Sequence, residues 1–163
     1  MDSIPISVEG FNRVRDELEK LKSERPEIIR AIAEAREEGD LKENAGYDAA
    51  RERQGMLEAR INFIESRMPR FNVIDMKTLG GCHAIFGATV KIEDVDSGEV
   101  KTFTLLGPDE AEPSKGTISI LSPVGLAMLG KEVGDEFVVD APRGKINYEI
   151  VSIAFNGVEG LPR

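Results

Sequence analysis

The sequence has no tryptophan, one cysteine and one histidine in 163 residues. A lone Cys82 excludes an internal disulfide framework and fits a reducing compartment, so a cytoplasmic protein is expected. No run approaches the roughly 18–20 apolar residues that span a bilayer. The opening Met1-Asp2-Ser3-Ile4-Pro5 has neither the basic nor the apolar region of a secretion signal, and no membrane contact is expected. There is no Walker A pattern and no dinucleotide fingerprint, so nothing points to nucleotide binding. Bases are also short: 21 against 30 acids, for a net charge of −9. That balance excludes a broad nucleic-acid grip and leaves room only for a few local basic contacts. Cys82 and His83 are neighbours and stand alone. A closed zinc site takes about four ligands, and sequence neighbours seldom make a catalytic pair, so a structural role is expected for both.

What is present is 40% hydrophobic and 31% charged, the composition of a folded protein. The two halves differ. Residues 1–75 carry 17 acids, 13 bases and four glycines; residues 76–163 carry 13 acids, 8 bases and twelve glycines. The first half reads as long solvated helix, the second as strands joined by tight turns. Two domains are expected, 1–75 and 76–163.

Ser7 fits the N-cap of a helix starting near Val8. A heptad seam follows: Phe11, Val14, Leu18, Leu21, Arg25, Ile28, Ile32, Ala35. Arg25 is out of character in it, and Pro26 removes one backbone hydrogen bond and should bend the helix. A second seam runs Tyr47, Ala50, Gln54, Leu57, Ile61, Ile64, Met68, Phe71, and Pro69 is expected to end that helix or kink its last turn. Folded antiparallel, the two seams pair Ala35 with Tyr47 at one end and Phe11 with Phe71 at the other. Every pair sums to 82, which sets the fold-back point at Leu41. At about 1.5 Å per residue the first arm is roughly 45 Å long. That exceeds the roughly 30 Å width of an 88-residue domain, so the tip should project.

Around the tip stands Glu37-Glu38-Gly39-Asp40-Leu41-Lys42-Glu43-Asn44, with four acids in seven residues. A solvated loop is the plain reading. Crowded like charges repel, however, and Asp40 and Glu43 flank the fold-back point closely enough to share a ligand. Two carboxylates cannot hold Mg²⁺ tightly alone, but they complete a shell whose other ligands come from a partner or substrate phosphates.

The stretch from Arg25 to Gln54, and above all Gly39-Asp40-Leu41-Lys42-Glu43-Asn44-Ala45-Gly46-Tyr47, resembles the bacterial transcript cleavage factors of the Gre family, in its GreA branch. Supporting signatures are Phe86-Gly87-Ala88-Thr89-Val90 and the stretch from Ile118-Ser119-Ile120 through Ser122-Pro123 to Leu129-Gly130-Lys131-Glu132-Val133-Gly134-Asp135. The resemblance implies a transcription elongation factor that binds RNA polymerase as a monomer and pushes its coiled coil into the secondary channel. There the RNA 3′ end of a backtracked complex is extruded. Asp40 and Glu43 are implied to help hold a second Mg²⁺ in the polymerase site, so the polymerase cleaves its own transcript and two metals serve the attacking and leaving oxygens. The factor itself is then no enzyme, and it binds no cofactor alone. One departure is Gly46, where the family usually carries Glu. It removes an acid from the first turn of the second helix and keeps open the alternative of a paralogue that occludes the channel.

Arg36, Lys42, Arg51 and Arg53 lie near the tip and suit contacts to an RNA backbone or the channel wall. Salt bridging along the helices, to Glu37, Asp48 or Glu52, is the plainer use of Arg53. Tyr47 holds a seam position, which favours packing against Ala35 over stacking on a base. Asn44 is the natural cap of the second helix.

In the second half, strands are expected over Ala88–Asp94, Glu99–Leu106, Thr117–Leu121, Glu136–Asp140 and Lys145–Phe155, with a short helix from Ser122-Pro123 to Leu129. The whole chain is α+β: an antiparallel helical coiled-coil hairpin, then an antiparallel sheet domain with a short helix. The resemblance implies an FKBP-like fold for that domain and a polymerase-docking role, with Ser122, Pro123 and Val124 as contacts. A prolyl isomerase site is discounted, because five aromatics and no tryptophan fill little more than a core.

Overall fold

The computed structural model describes residues 2–38 and 44–157. They form two compact units, one of Asn12–Arg70 and one that joins the first eleven residues to the chain from Phe71 onward.

The first unit is the helical hairpin. Helix α1 spans Val8–Glu37, its first turns belonging to the other unit, and α2 spans Ala45–Arg67. Helix α1 runs unbroken through Pro26, whose side chain faces solvent. Ile28, Ile32, Ala50, Leu57 and Ile61 form the buried stripe, with Leu18, Leu21 and Tyr47 packed against it. These are the seam positions. Ion pairs cross between the helices: Glu17 with Arg60, Lys22 with Glu65, Arg25 with Glu58. Their residue numbers sum to 77, 87 and 83, all close to 82, which fits antiparallel helices in the register of the pairing rule. Arg25 is resolved by its partner. Its guanidinium forks onto Glu58 at 2.7 and 2.8 Å, beside the seam rather than in it. Those bonds hold the Glu58 carboxyl below its ordinary range and the Arg25 guanidinium above its own.

Helix α2 stops at Arg67, four residues before the expected seam ends. Pro69 has no N–H to continue the ladder, and a 3-10 turn over Met68–Arg70 takes its place. Phe71 still meets Phe11, ring centroids 6.1 Å apart and edge to face, but it does so from a strand.

The second unit contains that strand. Ile4–Ser7 (β1) pairs in parallel with Phe71–Ile74 (β2), Ile4 opposite Phe71 and Ser7 opposite Ile74. The division at Asp75 drawn from composition therefore differs from the compact units: both strands flanking the hairpin belong with the second domain. Eight residues of extended chain at two remote places carry no local signal of pairing. The remaining strands are β3 (Thr89–Asp94), β4 (Val100–Leu106), β5 (Thr117–Ser119), β6 (Glu136–Ala141) and β7 (Gly144–Ala154). They make one sheet in the order β5-β4-β3-β7-β6. All neighbours are antiparallel except β4 and β5, so the sheet is mixed rather than wholly antiparallel. Helix α3 (Pro123–Met128) is capped by Ser122, whose hydroxyl accepts from the Gly125 N–H. Met128 packs beneath the sheet with Val90, Ile92, Leu105, Ile118, Phe137, Tyr148 and Ile150.

Glu110 ties this unit together. Its buried carboxylate accepts from the Ser7 N–H at 2.9 Å, the Ser7 hydroxyl at 2.5 Å and the Gly107 N–H at 3.2 Å. The Ser7 oxygen in turn accepts from the Gly10 N–H, the expected cap of α1. Gly107 is required here, because a Cβ would collide with the carbonyl oxygen of Pro5. Among the described residues no helix is long and apolar enough to cross a membrane.

Candidate functional site: the closed end of the helical hairpin

The end of α1 and the start of α2 are joined by residues 39–43. Asp40, Lys42 and Glu43 therefore lie outside the described residues. Asn44 has extended backbone, and its Oδ1 accepts from the Tyr47 N–H at 3.0 Å, capping α2. Its Nδ2 donates at 2.5 Å to the Ala35 carbonyl in the last turn of α1, which also accepts from the Glu38 N–H at 3.3 Å. One half-buried side chain thus closes both helix ends. Five residues carrying two carboxylates are bracketed between fixed points.

Tyr47 is half-buried against the seam, as its heptad position predicts. The Arg36 guanidinium lies 5.7 Å from its ring centroid, a cation–π contact that leaves the charge at the surface. Arg36 and Arg51 share a shallow groove of about 240 Å³ with Ile29, Ala33 and Gln54. Arg51 donates to Gln54 at 3.1 Å, so the polar residue of the second seam orients a cation. Arg53 is not part of this group. It lines a separate groove with Leu21, Glu24, Met56 and Arg60. Gly46 is in ordinary helical backbone, not the left-handed region. A Cβ there would stand 3.3 Å from Asn44 Oδ1. The glycine relieves crowding at the cap instead of meeting a backbone demand.

In the other unit, Ser122 spends its hydroxyl internally, donating to the Ser119 carbonyl at 2.6 Å while it caps α3. Pro123 is exposed, and Val124 packs largely on the core. The more prominent apolar groups around α3 are Leu121, 59% exposed, and Leu126, 54% exposed. Their exposure has no signature in the sequence, since leucine at these positions reads as core.

Two family models match this arrangement. One, described as the N-terminal part of transcription elongation factors, matches residues 4–73. The other, described as the GreA/GreB C-terminal part, matches residues 83–155. The chain belongs to the GreA/GreB family. It is 80% identical over 157 residues to transcription elongation factor GreA of Solidesulfovibrio magneticus, covering 96% of both chains. It is 71% identical over 163 residues to GreA of Nitratidesulfovibrio vulgaris strain DP4, covering all of both. GreA of Thermodesulfovibrio yellowstonii is 50% identical over 155 residues, 94% of this chain and 98% of that one. Among solved structures, the transcription factor Gfh1 is 29% identical over 94% of this chain and 99% of that one, with a TM-score of 0.46. As a GreA/GreB member this chain is a transcription elongation factor. The two family matches cover residues 4–73 and 83–155, whereas the compact units divide after Phe11 and before Phe71.

Proposed function

We propose that this chain binds bacterial RNA polymerase, inserts its helical hairpin into the secondary channel and stimulates the polymerase's own cleavage of backtracked RNA. The carrying observation is the double cap by Asn44, which fixes both ends of the segment that contains Asp40 and Glu43. A carboxylate pair meant to reach another protein's site must be delivered on a stiff support, because each ångström of misplacement weakens catalysis. The seam, the cross-helix ion pairs and the cap supply that stiffness over an arm roughly 45 Å long.

Asp40 and Glu43 offer oxygen donors of the kind that Mg²⁺ takes. Two carboxylates leave most of an octahedral shell to the polymerase, the RNA and water. When bound, the ion supplies charge stabilisation and an activated water. This chain's own part is to bring acids to the site, with Arg36, Lys42 and Arg51 holding the extruded RNA by its phosphates. Arg53, turned toward another groove, serves the channel wall or its neighbouring acids. The exposed apolar side chains around Ser122, Pro123 and Val124 fit a docking role at the channel rim. No observation favours the channel-blocking alternative, and relatives at 50–80% identity carry the GreA name.

The test is transcript cleavage in a purified, backtracked elongation complex, with wild type beside Asp40→Ala and Glu43→Ala. Wild type should accelerate cleavage, and each variant should lose at least tenfold while binding with unchanged affinity. Binding without acceleration would defeat the carboxylate-donation reading. Absence of binding would defeat the polymerase reading altogether.

A further inference from the structure

Glu132 is some fifty residues from Cys82 and His83 in the chain and adjacent to them in space. His83 and Glu132 form an isolated antiparallel bridge. Two further backbone bonds hold the segments together: the Ala84 N–H donates to Lys131 at 2.8 Å, and the Gly130 N–H donates to Ala84 at 2.7 Å. Ala84 is fully buried in the core, and the Glu132 N–H donates to the Asp135 carboxylate at 2.8 Å, so neither segment is free to drift. On this frame the imidazole stands between two partners. Nε2 is 2.8 Å from a Glu132 carboxylate oxygen, and Nδ1 is 3.5 Å from the Cys82 sulfur. The donor atoms of all three residues lie within 4.8 Å of one another, and all three are exposed.

That is a carboxylate–histidine pair, the orienting half of a metal relay, with the Cys82 sulfur beside the open nitrogen. A carboxylate on Nε2 selects the tautomer whose Nδ1 lone pair is available. Bond lengths of 2.3 Å to sulfur and 2.0–2.1 Å to nitrogen at a tetrahedral angle separate the two ligands by about 3.6 Å. The observed 3.5 Å, spanned by a hydrogen bond between the two side chains, is close to that edge. Sulfur with imidazole selects a thiophilic ion over Mg²⁺, which takes oxygen donors. We propose that Cys82 Sγ and His83 Nδ1 bind a zinc-class divalent ion, with Glu132 as the positioning residue and the remaining positions open to water. This site is independent of the acidic hairpin segment and of the polymerase reading.

The experiment is a Co²⁺ titration of the full chain under a non-chelating reductant, read by the thiolate-to-cobalt charge-transfer absorption and by displacement with Zn²⁺. Wild type should bind one ion per chain with that absorption. It should disappear in Cys82→Ser and His83→Ala and persist in the Asp40→Ala/Glu43→Ala double variant. Glu132→Gln should retain it with about 10–100-fold weaker binding, the usual effect of losing an outer-shell partner. A second reading is the alkylation rate of Cys82, which Zn²⁺ should slow in wild type and not in His83→Ala. Absence of the charge-transfer band in wild type, equal binding in Cys82→Ser, or alkylation indifferent to Zn²⁺ would each overturn the proposal.

Discussion

Asn44→Ala is the substitution that most directly tests how the hairpin is closed. The side chain performs two separable jobs: Oδ1 caps α2 through the Tyr47 N–H, and Nδ2 bonds the Ala35 carbonyl at the end of α1. Losing an N-cap costs about 0.5–2 kcal/mol. Losing the second bond costs about 0.5–1.5 kcal/mol. Alanine should therefore destabilise the hairpin by roughly 1–3 kcal/mol. Asn44→Ser keeps a capping oxygen and loses the reach to Ala35, so it should cost about 0.5–1.5 kcal/mol. The assay is urea unfolding followed by helical circular dichroism, with amide exchange at Tyr47 as the local reading. Faster exchange is expected for alanine and near-normal exchange for serine, because only alanine frees that N–H. A change below about 0.5 kcal/mol with Tyr47 exchange unaltered would refute the double-cap argument. So would equal losses in the two variants.

Glu110→Ala removes the acceptor of the Ser7 and Gly107 amides and should cost about 2–6 kcal/mol, since each buried unsatisfied donor costs about 1–3. Glu110→Gln keeps one carbonyl oxygen for those two amides, and the Ser7 hydroxyl is free to reverse, so chemical denaturation should show a smaller loss. The Glu58 and Asp94 carboxyls are both held below their ordinary values, Glu58 by Arg25 and Asp94 by the Asp96 and Ser97 N–H groups. Each lowered carboxyl contributes stability that is complete above its unfolded value, about 4.5 for Glu58 and 3.8 for Asp94, and lost as pH falls through the folded one. Denaturation midpoints measured from neutral pH downward should fall in that acid window. Glu58→Gln should flatten the fall for the helical unit; an unchanged acid slope in that variant would contradict the Arg25 assignment.

The hairpin was legible because its information is periodic. A seam that recurs every three or four residues fixes which face is buried, and two seams of equal length fix the register and the fold-back point. The spacing of Met68 and Phe71 continues the pattern, while Pro69 marks the end of the helix, which closes at Arg67. The strands of the second domain were legible from alternation and turn residues, to within a residue or two for most. Thr117–Ser119 is shorter than expected, since Ser119 already bonds the cap of α3.

What the sequence by itself determined about this protein is local and periodic: the two helices, their pairing, the caps at Ser7, Asn44 and Ser122, and the family signature of the hairpin end. What only the tertiary structure decided are contacts between segments remote along the chain. The pairing of Ile4–Ser7 with Phe71–Ile74 is one, because strand partners leave no mark on each other's sequence. The parallel placement of β5 on β4 is another. Glu110 beneath Ser7, and Glu132 beside Cys82 and His83, are the others that matter for chemistry. A carboxylate's role depends on which donors surround it, and those donors arrive from about fifty to a hundred residues away, when the sheet closes.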